Sequence, residues 1–452
     1  GSATAATGFN VDNSCRFDRA SSDDFTKSSS GGSRRKATFS AWLKWGIHVG
    51  TSTEQGIFES HDGTNYFSVY TDGKNLRANN TGGTGDAIYS TQVLRDPSAW
   101  YHVVIAVDSD QGTASNRFRM YINGSEVTSF SAAVYPTENE DMKFNGSGTI
   151  QVGGGAAGNW DGYMAEVVWI DGSQLAPDQF GEFDSDSGIW KPIDVSGLTF
   201  GTNGFYLDFK DSANLGNDAN GGTDLGENNI VANNQSIDTC TNNFCTMNPL
   251  YPDGTITFSE GNLKLTEGNS WRSAGGTMAV SQGKWYWEIS NVGNYAYIGF
   301  ADIQLFSEGC SIRESFTTGA ATTGRAHSVL NSDGRHYQVT SGGAQSSEYP
   351  SDATFPTFTN SIISIALNLD DNNFIFYKDG TAMNPSGNAI SITAGTYIPA
   401  VSIYGNTVSY NFGSPSYSES GGNSDGNGYG NFSMAVPSGY FALNTKNLAE
   451  YG

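Results

Sequence analysis

Glu166 lies in the middle of an apolar stretch, GYMAEVVWIDG at residues 162–172, and Asp171 closes that stretch. Alternate side chains of a strand share one face, so we expect the even-numbered residues 164–170 on one face and Asp171 on the other. A retaining glycoside hydrolase needs two carboxyl groups about 5.5 Å apart. This strand supplies one carboxylate to that face. The sequence therefore predicts that a cation or a backbone group satisfies Glu166, because a lone buried carboxylate is costly.

A second acidic run, EFDSDSG at residues 182–188, has carboxylates at alternating positions. It contains no β-branched residue, so its composition indicates a polar turn. The chain has no HExxH or HxH spacing, no GxSxG and no Walker-type loop, so we predict no catalytic residue and no enzymatic activity. His102, within WYHVVIAV, is expected to be a strand residue whose hydrogen bonds are satisfied.

One Gly-rich segment, NDANGGTDLGE, is a candidate calcium site. Its oxygen-bearing side chains are Asp218, Asn220, Asp224 and Glu227. Hard oxygen ligands at short spacing suit Ca²⁺, although the spacing differs from that of an EF-hand loop. The alternative is a solvated connection, since the same composition is typical of flexible segments.

Four aromatic side chains in polar loop contexts are candidates for glycan binding. They are His61 and Tyr66 in ESHDGTNYF, Trp160 in GGAAGNWDG, and Trp271 in EGNSWRSAGG. An exposed ring on a loop can stack on a sugar face while neighbouring Asn and Asp side chains bond the hydroxyl groups. The alternative for each ring is a place in the core, because large aromatic side chains are mostly buried.

Composition limits the classes of function. The chain has 46 acidic and 23 basic residues, for a formal net charge of −23. A nucleic-acid backbone would be repelled, so we predict no nucleic-acid partner. No apolar run reaches the ~18 residues of a membrane span, which predicts no membrane insertion. Cys240 and Cys245 could form one local disulfide, but four cysteines in 452 residues favour free thiols.

Period-two alternation runs through the sequence, and Gly, Asn and Asp interrupt it at the turns. This pattern predicts an all-β fold of two tandem antiparallel β-sandwiches. We expect one sandwich at residues 1–212, an Asn/Gly/Asp-rich connection at 213–250 and a second sandwich at 251–452. A short helix is expected at 175–183, and a mobile loop at 419–431.

Three motifs give the first half a family resemblance: FSAWLKW, WYHVVIAVDSDQGTASNRFRMYINGSEV and GYMAEVVWIDGSQLAPDQF. In this order they resemble the strands of a laminin-G-like, concanavalin-A-like jelly roll, over roughly residues 10–210. The second half, over roughly 260–415, resembles a SPRY domain in GKWYWEI, IGFAD, SIALNLDDNNFIFYKDG and YIPAVSIYGNTVSYNFG. The resemblances imply a lectin-like sandwich followed by a SPRY-like sandwich.

A set of shorter motifs, including RDPSAWYH, IDGSQLAPDQFG, GTNGFYLDF and NNFCTMNPL, is similar to structural proteins of marine bacteriophages. This resemblance implies a non-enzymatic virion surface or tail-fibre protein that binds a host-surface glycan or receptor and contacts other virion proteins. A homotrimer is a further hypothesis, since fibre proteins are often trimers. The alternatives are a glycan depolymerase acting through the jelly roll and a purely structural capsid decoration protein.

Overall fold

The computed structural model describes residues 8–47, 53–81, 85–250, 255–290, 292–293, 295–307, 325–330, 335–339, 345–346, 359–383, 387–419 and 421–452. The chain divides between Asn242 and Asn243 into two compact units, an amino-terminal and a carboxy-terminal one. Both are built from mostly antiparallel sheets, which confirms the all-β prediction. No helix in the described ranges has the length and apolarity to cross a bilayer.

The strands of the amino-terminal unit are short to medium in length. They are β1 Ser14–Phe17, β2 Asp24–Ser29, β3 Lys36–Trp45, β4 Glu54–His61, β5 Tyr66–Asp72, β6 Asn75–Asn80, β7 Asp86–Val93, β8 Tyr101–Asp108, β9 Phe118–Ile122, β10 Ser125–Glu126, β11 Phe130–Val134, β12 Gly148–Val152, β13 Gly162–Asp171, β14 Gly181–Phe183, β15 Trp190–Pro192, β16 Phe205–Leu207, β17 Gly226–Asn228 and β18 Gln235–Ser236. One helical turn, α1, spans Ala114–Arg117.

In the described residues, this unit has two eight-stranded sheets and a small two-stranded sheet of β14 and β15. One of the eight-stranded sheets has the order β10-β9-β8-β3-β13-β1-β18, with β16 added beside β13, and the other has the order β11-β7-β6-β5-β4-β12-β2-β17. Their facing side chains make one apolar core. The ring of Phe58 on β4 lies 4.9 Å from that of Phe39 on β3 and 4.5 Å from that of Trp169 on β13. Aromatic contacts between the sheets therefore hold the sandwich together.

The first of these sheets is covered on its outer side, and we call it the covered sheet. Val104, Ala106, Val168 and Ile170 point away from the core and pack against apolar residues of the segment 175–206. Beside them, Trp42 and Ala165 pack against Val11, Trp190 and neighbouring residues. The second sheet is called the open sheet here, because polar and aromatic side chains occupy its outer side, as described below.

The closing strand β13 contains a β-bulge at Glu166. Ala165 pairs with Trp42 and Val168 pairs with Ser40, so two residues of β13 oppose one residue of β3. Glu166 has a φ of 50°, in the left-handed region. The extra residue reverses the alternation. Met164 therefore faces the core while Val168 and Ile170 face outward, and the prediction that the even-numbered residues of 164–170 share one face is wrong.

Part of the segment predicted as a connection contributes to the amino-terminal unit. β17 pairs with β2, and β18 pairs with β1. Farther along, Lys44 Nζ lies 2.7 Å from the Oδ2 atom of Asp238, with both side chains almost fully buried. Trp100 Nε1 donates to the other carboxylate oxygen of Asp238 at 3.2 Å. This segment is thus tied to the sandwich by strand pairing and by a buried ion pair.

The carboxy-terminal unit has its own set of strands. They are β19 Thr257–Ser259, β20 Lys264–Glu267, β21 Arg272–Gly275, β22 Lys284–Ser290, β23 Ala296–Asp302, β24 Ala326–Leu330, β25 Arg335–Val339, β26 Gln345–Ser346, β27 Ile363–Asn368, β28 Asn373–Lys378, β29 Thr381–Ala382, β30 Ile390–Ser391, β31 Tyr397–Ile403, β32 Asn406–Asn411 and β33 Phe441–Ala442. The described part of this unit also contains two helices, α2 at Ile303–Ser307 and α3 at Thr445–Tyr451.

These strands form a nine-stranded and a six-stranded sheet. The larger has the order β19-β20-β32-β22-β27-β28-β29, with β30 and β33 at its sides, and the smaller has the order β21-β31-β23-β24-β25-β26. Phe300 of the smaller sheet packs against Phe374 and Phe376 of the larger one, at ring distances of 5.0 and 6.5 Å. This unit is therefore also a sandwich with an aromatic core.

Two local expectations need correction. The segment 175–183 contains a single 3-10 turn at Pro177–Gln179 followed by strand β14, because Pro177 starts a turn that the following Phe180–Gly181 does not continue as a helix. The acidic run after it is a hairpin turn, as predicted.

The loop predicted to be mobile at 419–431 is held in place by Asp425, whose carboxylate accepts from Asn427 N, Tyr429 N, Ala442 N and Asn447 Nδ2.

The buried ion pair predicts a measurable loss of stability. Replacing Asp238→Asn leaves the buried Lys44 ammonium without its carboxylate, and breaking such a pair costs about 3–5 kcal/mol. We expect the unfolding free energy of the amino-terminal unit, obtained from urea titrations followed by tryptophan fluorescence, to fall by that amount. Asp186→Asn, which changes an exposed carboxylate in the β14–β15 turn, is the matched control. Equal transitions for the two variants would contradict the structural role of residue 238.

Candidate functional site

The buried carboxyl group of Glu166 has a tyrosine hydroxyl as its hydrogen-bond partner. The hydroxyl of Tyr206 on β16 donates to Glu166 Oε2 at 2.6 Å, and the carboxyl is 6% exposed. Strand β16 pairs with β13, which places Tyr206 beside the bulge. Burial raises the pKa of Glu166 to about 7, while the hydrogen bond from Tyr206 opposes that rise. The prediction of a cation or backbone partner is therefore wrong, because β16 brings a phenol to this position.

The position of Glu166 does not suit hydrolysis. Its partner Tyr206 belongs to the apolar layer that covers this sheet, together with Phe200 and Val168. A glycosidic bond would have to reach it through that layer. Glu166 thus stabilises the junction of the bulge and the covering segment rather than lining an accessible substrate site.

His102 is a satisfied strand residue, as predicted. Trp190 Nε1 donates to its Nδ1 atom at 3.0 Å, and the Nε2 atom lies 2.9 Å from Ser40 Oγ. This arrangement requires the neutral tautomer with the proton on Nε2. Burial lowers the pKa of His102 to about 3, so it stays neutral at physiological pH.

The three carboxylates among the predicted calcium ligands have partners in their own and in neighbouring segments. Asp218 Oδ1 accepts from Tyr206 N and Asn220 N, and its Oδ2 lies 4.0 Å from Lys27 Nζ. Asp224 accepts from Asp218 N, and Glu227 accepts from Gly216 N. Across the described residues, no three His, Cys, Asp or Glu side chains form a group that could hold a metal ion. These carboxylates fold the segment, and calcium binding stays a prediction.

Trp160 is not available to a ligand. It is 0% exposed and lies in the core, with its ring 5.1 Å from that of Trp45. The surrounding Gly-rich sequence suggested an exposed loop, but this loop folds back toward β4, where Gly56 N donates to Gly158 O. The prediction of Trp160 as a glycan contact therefore needs correction.

His61 and Tyr66 lie side by side at the end of the β4–β5 hairpin. They are directly opposed in the register of the two strands, and Thr149 of β12 opposes His61 on its other side. Gly63 N donates to His61 Nδ1 at 3.2 Å. The Asp62 carboxylate accepts from the amides of residues 64 and 65 and closes the turn. The hairpin thus holds two half-buried rings in a fixed place on the open sheet.

A second polar row lies next to this pair. It crosses four neighbouring strands of the open sheet in the order Gln151, Glu59, Ser68 and Asn79. Ser68 Oγ donates to Asn79 Oδ1 at 2.7 Å, and Ala156 N donates to Glu59 Oε2 at 2.9 Å. With strands about 4.8 Å apart, the row spans roughly 14 Å. We call these four residues with Thr149, His61 and Tyr66 the polar rows.

The rows face outward because the alternate positions face the core. Phe58, Phe67, Ala78 and Ile150 all belong to the apolar core. Glu59 is the carboxylate of the rows, and its burial raises its pKa. The spacing of Glu59 and His61, two apart on one strand, was a signal available in the sequence. The strand register that adds Ser68, Asn79 and Gln151 was not.

Trp271 lies in the carboxy-terminal unit, half-buried at the start of β21. Its ring centroid is 5.3 Å from that of Tyr297 and 5.7 Å from that of Tyr404. The structure therefore does not bring Trp271 into the polar rows. It belongs to a separate aromatic cluster.

Residues 20–178 match a laminin G family model described as the concanavalin A-like lectin/glucanases superfamily. Among solved structures, the SPRY domain of human HERC1 shares 16% identity over 36% of this chain and 96% of its own, with a TM-score of 0.28. The LG4-5 domains of the mouse laminin alpha1 chain share 10% identity over 90% of each chain, with a TM-score of 0.31.

A putative carbohydrate binding protein from Bacteroides ovatus shares 17% identity over 49% of this chain and 59% of its own, with a TM-score of 0.33. No curated protein matches the sequence. The family match supports the predicted laminin-G-like, concanavalin-A-like lectin domain in the amino-terminal unit, and SPRY domains are among the structural neighbours.

The raised pKa of Glu166 predicts a pH-dependent stability. The folded unit binds this proton more tightly than the unfolded chain, so its contribution to stability is full below about pH 4.5 and is lost as the pH rises to about 7. Each pKa unit corresponds to about 1.4 kcal/mol. We expect Glu166→Gln to flatten the decline of the unfolding free energy across this range, measured by urea titrations at several pH values.

The control for this experiment is internal. Asp161 also has a pKa raised to about 7, by burial and by Asp18, and it contributes a decline of the same sign in both proteins. Only the difference between wild type and Glu166→Gln reports on residue 166. Parallel stability curves for the two proteins would refute the shifted pKa.

Proposed function

We propose that the amino-terminal unit binds carbohydrate on the outer face of the open sheet. The observation that carries the proposal is the pair of polar rows, because they place the half-buried rings of His61 and Tyr66 beside half-buried hydroxyl and amide side chains on adjacent strands: Thr149, Gln151 and Asn79. Ligand sites of this kind need a few precisely placed polar groups beside an apolar surface. The lectin-like family match at 20–178 includes all of these residues and supports the proposal.

The chemistry of the rows suits a hydroxyl-rich ligand. The ring of Tyr66 offers an apolar face to the C–H side of a sugar ring, and His61 adds a second ring beside it. Gln151 and Asn79, both half-buried, supply amide donors and acceptors for sugar hydroxyls. Glu59 is 5% exposed and accepts from Ala156 N, so it fixes the loop beside them. Because the row residues lie on paired strands, binding would require little ordering of the protein.

A lectin role fits these residues better than hydrolysis. Glycoside hydrolysis uses two carboxyl groups about 5–9.5 Å apart. Glu59, the carboxylate of the polar rows, is 5% exposed and accepts from Ala156 N, so the rows do not present an accessible pair of carboxyl groups. We therefore propose a non-enzymatic site. Glycan depolymerisation is the alternative, and release of reducing ends from a bound glycan would favour it.

We further propose that this binding serves adhesion to a host surface by a phage virion or tail-fibre protein. The support is the set of motifs that resemble phage structural proteins, together with the charge-poor, Gly-rich composition. Calcium as a cofactor, contacts with other virion proteins and a homotrimer belong to the same proposal. Binding to no glycan at all would favour the alternative of a structural decoration protein.

The first test is a glycan array probed with the full chain, with and without Ca²⁺, followed by calorimetry on the strongest ligand. We expect Tyr66→Ala to weaken binding at least about tenfold, which corresponds to ~1.4 kcal/mol, because the ring is the main apolar contact. Phe183→Ala removes an exposed aromatic ring of the same unit outside the rows and should leave the affinity unchanged.

Two results would contradict the proposal. One is binding to no glycan in either buffer. The other is an affinity that Tyr66→Ala and His61→Ala leave at the wild-type value while both variants stay folded, as judged by their thermal transitions. A requirement for Ca²⁺ would separately support the calcium hypothesis.

A further inference from the structure

The carboxy-terminal unit carries a cluster of four aromatic rings at one rim of its six-stranded sheet. Trp271 contacts Tyr295, Tyr297 and Tyr404 at ring distances of 6.5, 5.3 and 5.7 Å, and Tyr295 lies 6.0 Å from Tyr404. Tyr295 is 51% exposed, Trp271 and Tyr404 are half-buried, and Tyr297 is buried below them. We call these four residues the aromatic platform.

A buried carboxylate fixes two of the loops that carry the platform. Glu267 accepts from Ser270 N with both oxygens at 3.0 Å and from Asn269 N at 3.3 Å, just before Trp271. It also accepts from Gly405 N at 3.2 Å, just after Tyr404. The loops before β21 and after β31 are thus held by the same side chain.

The third loop is bonded to the same turn. Tyr404 N donates to Tyr295 O at 3.0 Å, and Gly293 N donates to Asn406 Oδ1 at 3.1 Å. Three chain segments distant in sequence therefore present the rings in one arrangement. A site whose rings are positioned before binding loses less entropy when a ligand arrives.

The surroundings of the platform are polar but nearly uncharged. Glu267 directs its oxygens to backbone amides, and Arg272 is the charged side chain next to the Trp271 ring. Apart from Val292, which is fully buried, the remaining described residues of the three loops are small or amide-bearing: Gly268, Asn269, Ser270, Gly293, Gly405, Asn406 and Thr407. Exposed aromatic rings set among amides, hydroxyls and phenols match a neutral ligand with hydroxyl groups around an apolar ring face.

We infer that the aromatic platform is a second carbohydrate site, which takes a neutral pyranose ring stacked on Trp271 and Tyr295. The phenol of Tyr404 would bond a hydroxyl at the edge of that ring, while Asn406 accepts from Gly293 N and Thr407 N and holds the loops in place. The inference rests on the proposed function only in assigning glycans to this chain, since the platform lies in the other unit and shares no residue with the polar rows. The net charge of −23 further disfavours an acidic glycan.

The test uses the full chain labelled with 5-fluorotryptophan and observed by fluorine NMR. The chain has nine tryptophans, and the spectrum of Trp271→Phe assigns the Trp271 resonance. Maltose, cellobiose, lactose and chitobiose are the probes, each titrated to millimolar concentration. We expect a saturable shift of the Trp271 resonance with at least one of them and a constant resonance from Trp100, which lies in the other unit.

Two variants link the shift to the platform. Tyr295→Ala removes its most exposed ring, so the unit should stay folded while the dissociation constant rises about tenfold. Tyr429→Ala removes another half-exposed tyrosine of the same unit, away from the platform, and should leave the titration unchanged. Equal titrations for Tyr295→Ala and wild type would overturn the inference.

The two carbohydrate proposals fail separately. A Trp271 resonance that none of the four sugars moves overturns the platform, and the proposed function survives if Tyr66→Ala still weakens binding on the array. A Trp271 resonance that shifts normally in Tyr66→Ala, with an array profile that this variant leaves unchanged, supports the platform and overturns the site on the open sheet.

Discussion

Buried carboxylates held by backbone amides and hydroxyl groups fasten the irregular segments of both units to their sheets. Glu288 on β22 accepts from Ser433 N, Met434 N, Asn411 Nδ2 and the Tyr286 hydroxyl. Asp171 at the end of β13 accepts from Ser33 N, Asn145 Nδ2 and both nitrogens of Asn203. With 46 acidic and 23 basic residues, the chain cannot pair each acid with a cation. Hydrogen bonds from N–H and O–H groups replace those pairs and lower the free-energy cost of burying the carboxylates.

Because the buried acids are used to hold irregular segments in place, they mark structural regions of the protein and not its candidate binding surfaces. In the amino-terminal unit, Asp171, Glu166 and Asp238 all serve to fix the segments that cover one sheet. The covering layer leaves the outer face of the other sheet as the place where polar groups remain half-exposed. In the carboxy-terminal unit, Glu267 plays the same part for the loops around Trp271. The buried acids of this protein thus hold the segments and loops around its candidate sites in place. Aromatic rings and neutral polar side chains form the contact surfaces.

The sequence predicted the all-β fold well because alternation is a local property. It also predicted that the hydrogen bonds of His102 are satisfied within a strand. It failed where one residue changed the geometry or where distant segments met. The bulge at Glu166 reversed the face of every later residue in β13, and no local pattern marks an extra residue in a strand. The prediction that Trp160 is exposed to a glycan was wrong because its Gly-rich loop folds inward. His61 and Tyr66 were found by composition, but Gln151, Ser68 and Asn79 join them only through strand register.

The central claim is that carbohydrate binds on the polar rows of the open sheet. A crystal structure of the full chain with the glycan that it binds most strongly tests this claim most directly. The account predicts a sugar ring stacked on Tyr66, with a hydroxyl bonded to Gln151. A sugar bound to the amino-terminal unit at the covered sheet, with the polar rows free of ligand, would contradict it.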